Sequence, residues 1–231
     1  MVQPGLSKAI GTILRHVPLS MWPALVSRRT GVLTPRAIVP LASPAALGGA
    51  NVRILLDFLD QTQAVQGAVA ECGVWRGQTL IAMALYLKQR SSPKTLWGFD
   101  SFAGFEGTTP HNFRDTSLQL VEQKAAIFGL TNVNIVPGYF RDSLKTVENQ
   151  SFSFVHIDCD IYDSYLECLN FFYPRLGPKG VMLFDEYDDP DWPGAKRAVD
   201  GFCHARGILL ESVVGDNYKK AFATRPEGTA T

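Results

Sequence analysis

The sequence carries no excess of charge of either sign: 22 lysines and arginines face 22 aspartates and glutamates. Without a basic surplus there is no electrostatic footprint for neutralising a phosphate backbone, which argues against nucleic acid and for a small-molecule partner. Cysteine is scarce as well. Cys72, Cys159, Cys168 and Cys203 form no C-x-x-C pair and each sits in an apolar stretch. That argues against a zinc knuckle or a disulfide framework and fits buried free thiols in a reducing cytoplasm. Apolar runs are short, and none reaches the roughly 18 residues that would mark a membrane span, so no integral membrane segment is expected. Residues 1–47 are mildly apolar but broken by Pro4, Pro18, Pro23, Pro35, Pro40 and Pro44, with Arg28–Arg29 in the middle. A signal peptide puts its charge first and its apolar run after it, which this segment does not. Docking on a membrane surface is the most it would support.

What the sequence does have is alternation. Its 231 residues suit one α/β domain over 51–231 with an N-terminal extension over 1–50, expected to serve as a lid or in acceptor or oligomer contacts. Residues 51–66 place Val52, Leu55, Leu56, Leu59 and Val65 at helical spacing behind Asn51 as N-cap. Strands are expected at 67–72, 95–100, 132–138, 151–158 and 180–186. Helices are expected at 78–90, 116–130 (capped by Thr116 or Ser117), 162–176 and 193–206, the last opening on Pro193. Two closing strands, 208–215 and 217–225, read as a hairpin around Gly215-Asp216-Asn217. The order implies a mainly parallel seven-stranded sheet, helices on both faces, and one antiparallel strand at the end.

In such sheets ligands bind beyond the carboxyl ends of the strands. Here those ends are acidic: Glu71, Asp100, Asp158 with Asp160, and Asp185 with Glu186, alongside Gly138. After the first strand comes Glu71-Cys72-Gly73-Val74-Trp75-Arg76-Gly77, in which Gly73 and Gly77 permit a sharp turn and a close ligand approach. The G-x-G-x-x-G dinucleotide pattern is missing, and Glu71 would repel a pyrophosphate. An ammonium-bearing sulfonium cofactor would instead suit Glu71, and Asp100 could take both hydroxyls of a ribose. An adenosyl cofactor is therefore favoured over NAD.

Asp158, Asp160, Asp185 and Glu186 fall at the ends of two strands expected to be neighbours, with no run of Lys or Arg nearby in sequence. Solvent exposure or helix capping could explain some of them, Asp158 or Asp160 at the helix from 162. A hard divalent cation resolves the repulsion of all four, and Mg²⁺ prefers such oxygen donors. Having no His or Cys in the cluster argues against zinc.

The segments E-C-G-V-W-R-G-Q, W-G-F-D-S-F-x-G, G-Y-F-R-D-S-L, H-I-D-C-D-I-Y-D-S, L-F-D-E-Y and W-P-G-A-K-R-A-V-D resemble the macrocin O-methyltransferase family over about residues 50–225. The resemblance implies a Rossmann-like class I methyltransferase fold. It implies bacterial enzymes that use S-adenosylmethionine and Mg²⁺ to methylate sugar or phenolic hydroxyls of natural products. Asp158, Asp185 and Glu186 would hold the metal and Asp160 would be the general base. Glu71, Gly73, Gly77, Asp100, Ser101 and the 138–143 loop, with Gly138, Asp142 near the adenine, and Ser143, would hold the cofactor. The family usually carries Asp-Asp where this chain has Asp185-Glu186. The N-terminal region and the 103–116 loop carry no match.

Two histidines rival Asp160 as base: His156, expected to be a packed core residue, and His111, a candidate lid residue. Trp192 and Tyr187 could flank an acceptor ring or pack the start of a helix. Phe171, Phe172 and Tyr173 read as core. An NAD-dependent oxidoreductase would explain Asp100 but not the acid cluster, and a non-catalytic adenosyl-binding partner protein would have no use for a metal site.

Overall fold

The computed structural model describes residues 49–106 and 113–228. Its elements, in chain order, are α1 (Gly49–Gln61), β1 (Ala68–Cys72), α2 (Gln78–Gln89), β2 (Leu96–Asp100), α3 (Leu118–Ile127), β3 (Val133–Pro137), the one-turn α4 (Phe140–Ser143), β4 (Phe152–Ile157), α5 (Tyr162–Phe172), β5 (Leu176–Phe184), α6 (Pro193–Arg206), β6 (Glu211–Val214) and β7 (Lys219–Thr224). They build one seven-stranded sheet in the order β3-β2-β1-β4-β5-β7-β6. β1 to β5 are parallel, and β7 runs antiparallel to both β5 and β6. The antiparallel strand is thus last in sequence but second from the edge in space.

Alternation along each strand explains the two layers. Val69, Phe154, Val181 and Leu183 face one side and pack with α1, α2 and α3. Ala70, Cys72, Val155, Ile157, Met182 and Phe184 face the other and pack with α5 and α6. α2 is buried continuously from Thr79 to Leu87 because it lies between α1 and the sheet. Among the described residues no helix is long and apolar enough to cross a membrane.

Several boundaries differ from expectation, each for a local reason. α1 begins at Gly49, so Asn51 is inside it; the cap is Asp216 of the β6–β7 turn, whose carboxylate accepts from the N–H groups of Ala50 and Asn51 at 3.0 Å each. α3 starts after Ser117, whose hydroxyl accepts from Leu120 N–H at 3.2 Å. α5 stops at Phe172 because Pro174 cannot continue it, and Tyr173–Arg175 tighten into a 3₁₀ turn. β5 starts at Leu176 rather than 180, paired with Phe152 and fastened by the Arg225 guanidinium on the Leu176 carbonyl. Glu186 falls beyond its end. The expectations for residues 1–48 and His111 lie outside the described residues.

The order reverses between β1 and β4, and there the turn after β1 crosses close to the chain leaving β4. Gly73 has φ +91°, and a Cβ on it would lie 1.6 Å from the Asp158 carbonyl oxygen. Left-handed strain alone costs about 1–3 kcal/mol, and the overlap adds to it. Gly73→Ala is expected to lower stability by at least that much, read as a fall in the urea midpoint at unchanged slope.

Candidate active site

A cavity of about 370 Å³ lies over the carboxyl ends of the strands. Gly73, Val74 and Trp75 after β1, Asp100 at the end of β2 with Ser101 after it, and Gly138 to Arg141 after β3 line one end. Asp158 and Asp160 after β4, Asp185, Glu186, Asp189 and Trp192 after β5, and Asn217 and Tyr218 before β7 line the other. The open-sheet rule placed the pocket correctly.

At the first end Asp100 organises the turn. Its Oδ2 accepts from Val74 N–H (2.9 Å) and Trp75 N–H (2.7 Å), and its Oδ1 accepts from Phe102 N–H (2.7 Å). Trp75 and Phe102 both have positive φ, 45° and 51°, so the carboxylate fastens two residues in a conformation that side chains disfavour. Asp100 was expected to face a ribose; it reaches the pocket with most of its acceptor capacity already given to the backbone. Gly77 is buried, does not line the cavity, and opens α2 with φ +78° where a Cβ would strike Val121. Asp142 points into solvent and pairs with Lys145 at 2.8 Å, outside the cavity lining. Ser143 lies beneath Gly138, and its buried hydroxyl has no hydrogen-bond partner among the described residues. Gly138 lines the cavity, but Ser143 does not.

Glu71 corrects the sequence reading most clearly. It does not line the cavity and is fully buried beneath it. Burial raises its pKa, while His156 beside it pulls the other way. His156, expected as inert core, bridges two acids: Nδ1 to Glu71 Oε1 at 3.0 Å and Nε2 to Asp185 Oδ1 at 3.2 Å. Burial alone would lower the pKa of this imidazole, but the hydrogen bonds to Asp185 and Glu71 raise it to about 9. At neutral pH both ring nitrogens therefore donate.

Lys220 was missed altogether. It is 1% exposed, and its ammonium bonds Asp185 Oδ1. The acid cluster thus has two built-in cations, of which Lys220 is remote in sequence. Burial would raise the pKa of Asp185, but Lys220 and His156 hold it well below the usual carboxylate range. The other three go up. Burial and Glu186 raise Asp158 and Asp160, and burial and Asp185 raise Glu186. Tyr165, on α5, donates to Glu186 Oε2 at 2.7 Å, and Asp160 N–H donates to the same oxygen at 3.3 Å. That bond helps hold Asp160 at φ 60°.

Two sets of donor atoms lie within 4.8 Å of one another: His156, Asp158 and Asp185, and Asp158, Asp160 and Glu186. A metal needs a lone pair on imidazole, and His156 has given both nitrogens to acids. The second set is all carboxylate, the donor chemistry of Mg²⁺. The expected ligands Asp158, Asp185 and Glu186 are divided between the two sets, with Asp158 in both. Tyr187 does not line the cavity; its hydroxyl donates to Asp200 of α6 at 2.7 Å. Trp192 does line it, with ring centroids 5.8 Å from Phe105 and 6.2 Å from Phe113, which also line the mouth.

The sheet order and a pocket over the β1/β4 reversal define a class I methyltransferase fold. The solved O-methyltransferase NovP shares it, with a TM-score of 0.69 at 24% identity over 78% of this chain and 81% of that one. The family description "Macrocin-O-methyltransferase (TylF)" matches residues 39–217, and the chain belongs to that family. Mycinamicin III 3''-O-methyltransferase from Micromonospora griseorubida is 31% identical over 168 residues, 64% of this chain and 65% of that protein. A tetracenomycin-type 4'-O-methyltransferase from Streptomyces olivaceus is 28% identical over 180 residues, 64% of this chain and 69% of that protein. The matches therefore span about two thirds of these relatives' lengths.

The His156 bridge carries a pH consequence. Its folded pKa of about 9 exceeds the ordinary 6.5, so its stabilisation is full below pH 6.5 and is lost as pH rises through about 9. The stability gap between the wild type and His156→Gln, from urea melts, is expected to shrink by on the order of 3 kcal/mol from pH 6.5 to pH 10. A gap independent of pH would mean a neutral histidine.

Proposed function

We propose that the protein is an S-adenosylmethionine- and Mg²⁺-dependent O-methyltransferase acting on a sugar hydroxyl of a natural product. The observation that carries this reading is one cavity with two unlike ends: a glycine-turned, Asp100-braced end, and an end of four carboxylates. Family membership favours it over an NAD-dependent oxidoreductase. The name of the Streptomyces olivaceus relative includes a dimethoxy-rhamnosyl group, which supports a sugar as acceptor.

In this reading Gly73, Asp100, Ser101 and Gly138 line the cofactor end, and Asp158 and Glu186 of the all-carboxylate set hold the metal together with Asp185, whose donor oxygen lies within 4.8 Å of that of Asp158. When bound, S-adenosylmethionine supplies an electrophilic methyl group and Mg²⁺ supplies Lewis acidity toward an acceptor hydroxyl. Asp160 accepts the hydroxyl proton on its carboxylate. Fixing Asp160 through its N–H to Glu186 aims that carboxylate before the acceptor arrives. Phe105, Phe113 and Trp192 form an aromatic wall of the cavity.

Turnover is expected to vanish in EDTA and return with Mg²⁺; full activity in excess chelator would refute the metal. Asp160→Asn is expected to lower kcat by about 10²–10⁴-fold with Mg²⁺ and S-adenosylmethionine affinity unchanged by calorimetry. If extra Mg²⁺ instead restores the rate of that variant, Asp160 is a ligand and not the base.

A further inference from the structure

We propose that Lys220 is a resident counter-cation of the acid cluster, sharing Asp185 with the divalent ion and thereby setting how tightly that ion is held. The inference rests on the Mg²⁺ reading above and concerns a residue outside the expected ligand set.

Strand register delivers Lys220 to this place. β5 and β7 pair antiparallel through Leu183 with Phe222 and Phe184 with Ala221, and one step further Asp185 stands opposite Lys220. Both side chains are on the α1–α3 face, continuing the rows of Leu183 and Phe222, so they meet. Across the neighbouring strands the same row holds His156 and, in register with it on β1, Glu71. The result is a chain of four ionisable groups over four strands: Glu71, His156, Asp185, Lys220.

Both donors to Asp185 land on Oδ1, which leaves Oδ2 for the cavity that Asp185 lines. Lys220 is too buried to release Asp185 and find water. A divalent ion gripping Asp185 must therefore tolerate a fixed ammonium on the far oxygen of the same carboxylate. In a partly buried site salt screens that repulsion weakly. An ordinary buried ion pair can often be replaced by apolar groups at little cost. This one differs, because among the described residues removing Lys220 leaves His156 as the one cation bonded to Asp185, beside three further acids. The ammonium stabilises the ion-free cluster and opposes the ion.

The test is calorimetry with MgCl₂ alone on the full chain, wild type against Lys220→Met and Lys220→Gln, with thermal melts in EDTA and in saturating Mg²⁺. Both neutral variants are expected to bind Mg²⁺ at least about tenfold more tightly. They should melt lower than wild type in EDTA and recover more of their midpoint on adding Mg²⁺. A variant that folds only with Mg²⁺ supports the assignment in the same way, and one that Mg²⁺ does not rescue counts against it. If wild type binds Mg²⁺ and the variants bind it equally or more weakly, the counter-cation role falls while the metal reading stands. If neither wild type nor variants bind, both fall.

Discussion

The carboxylate of Asp185, held from below by His156 and Lys220, is the interaction on which the rest of the site depends. Four acids at two adjacent strand ends repel one another, and burying them multiplies the penalty. The sheet offsets it by aligning β4, β5 and β7 so that two cations lie on the same face as Asp185 and bond it. A one-residue slip of β7 would turn Lys220 to the α5–α6 side and leave Asp185 with half its support. Register and site are therefore one constraint.

Asp100 does at the other end what Lys220 does at this one. It is an acid at a strand end, yet its main contacts are backbone N–H groups of Val74, Trp75 and Phe102. Two of those residues sit at positive φ, so the carboxylate fixes the shape of the loop that meets the ligand. The pocket floor is made rigid by charged side chains buried or half-buried under it, and its mouth by rings from three loops, Trp75, Phe113 and Trp192.

Fold and pocket were legible because they rest on patterns local in sequence: strand alternation, capping residues, and acids where strands stop. Position alone marked Asp158, Asp160, Asp185 and Glu186 as neighbours. What local pattern could not show was the third dimension of each side chain. Glu71 looked like Asp100, since both end a strand, but Glu71 is buried against His156 while Asp100 reaches the cavity. Lys220 left one signal, a lysine two residues before Phe222 on an inward-facing row. That signal means something only once β7 is known to lie against β5. His156 read as core because it is core, and its role came from partners 85 and 29 residues away.

Chain order adds a consequence for biogenesis. β4 and β5, with all four acids, leave the ribosome before β7, and Asp216, which caps α1, emerges almost as late. A nascent chain halted before Asp216 has the acids without their lysine and the first described helix without its cap. Such a chain has reason to stay open at this edge of the sheet, with β5 lacking its outer neighbour. The two ends of the described fold close on each other at the turn before β7, so the cavity is complete only once that turn and β7 are in place.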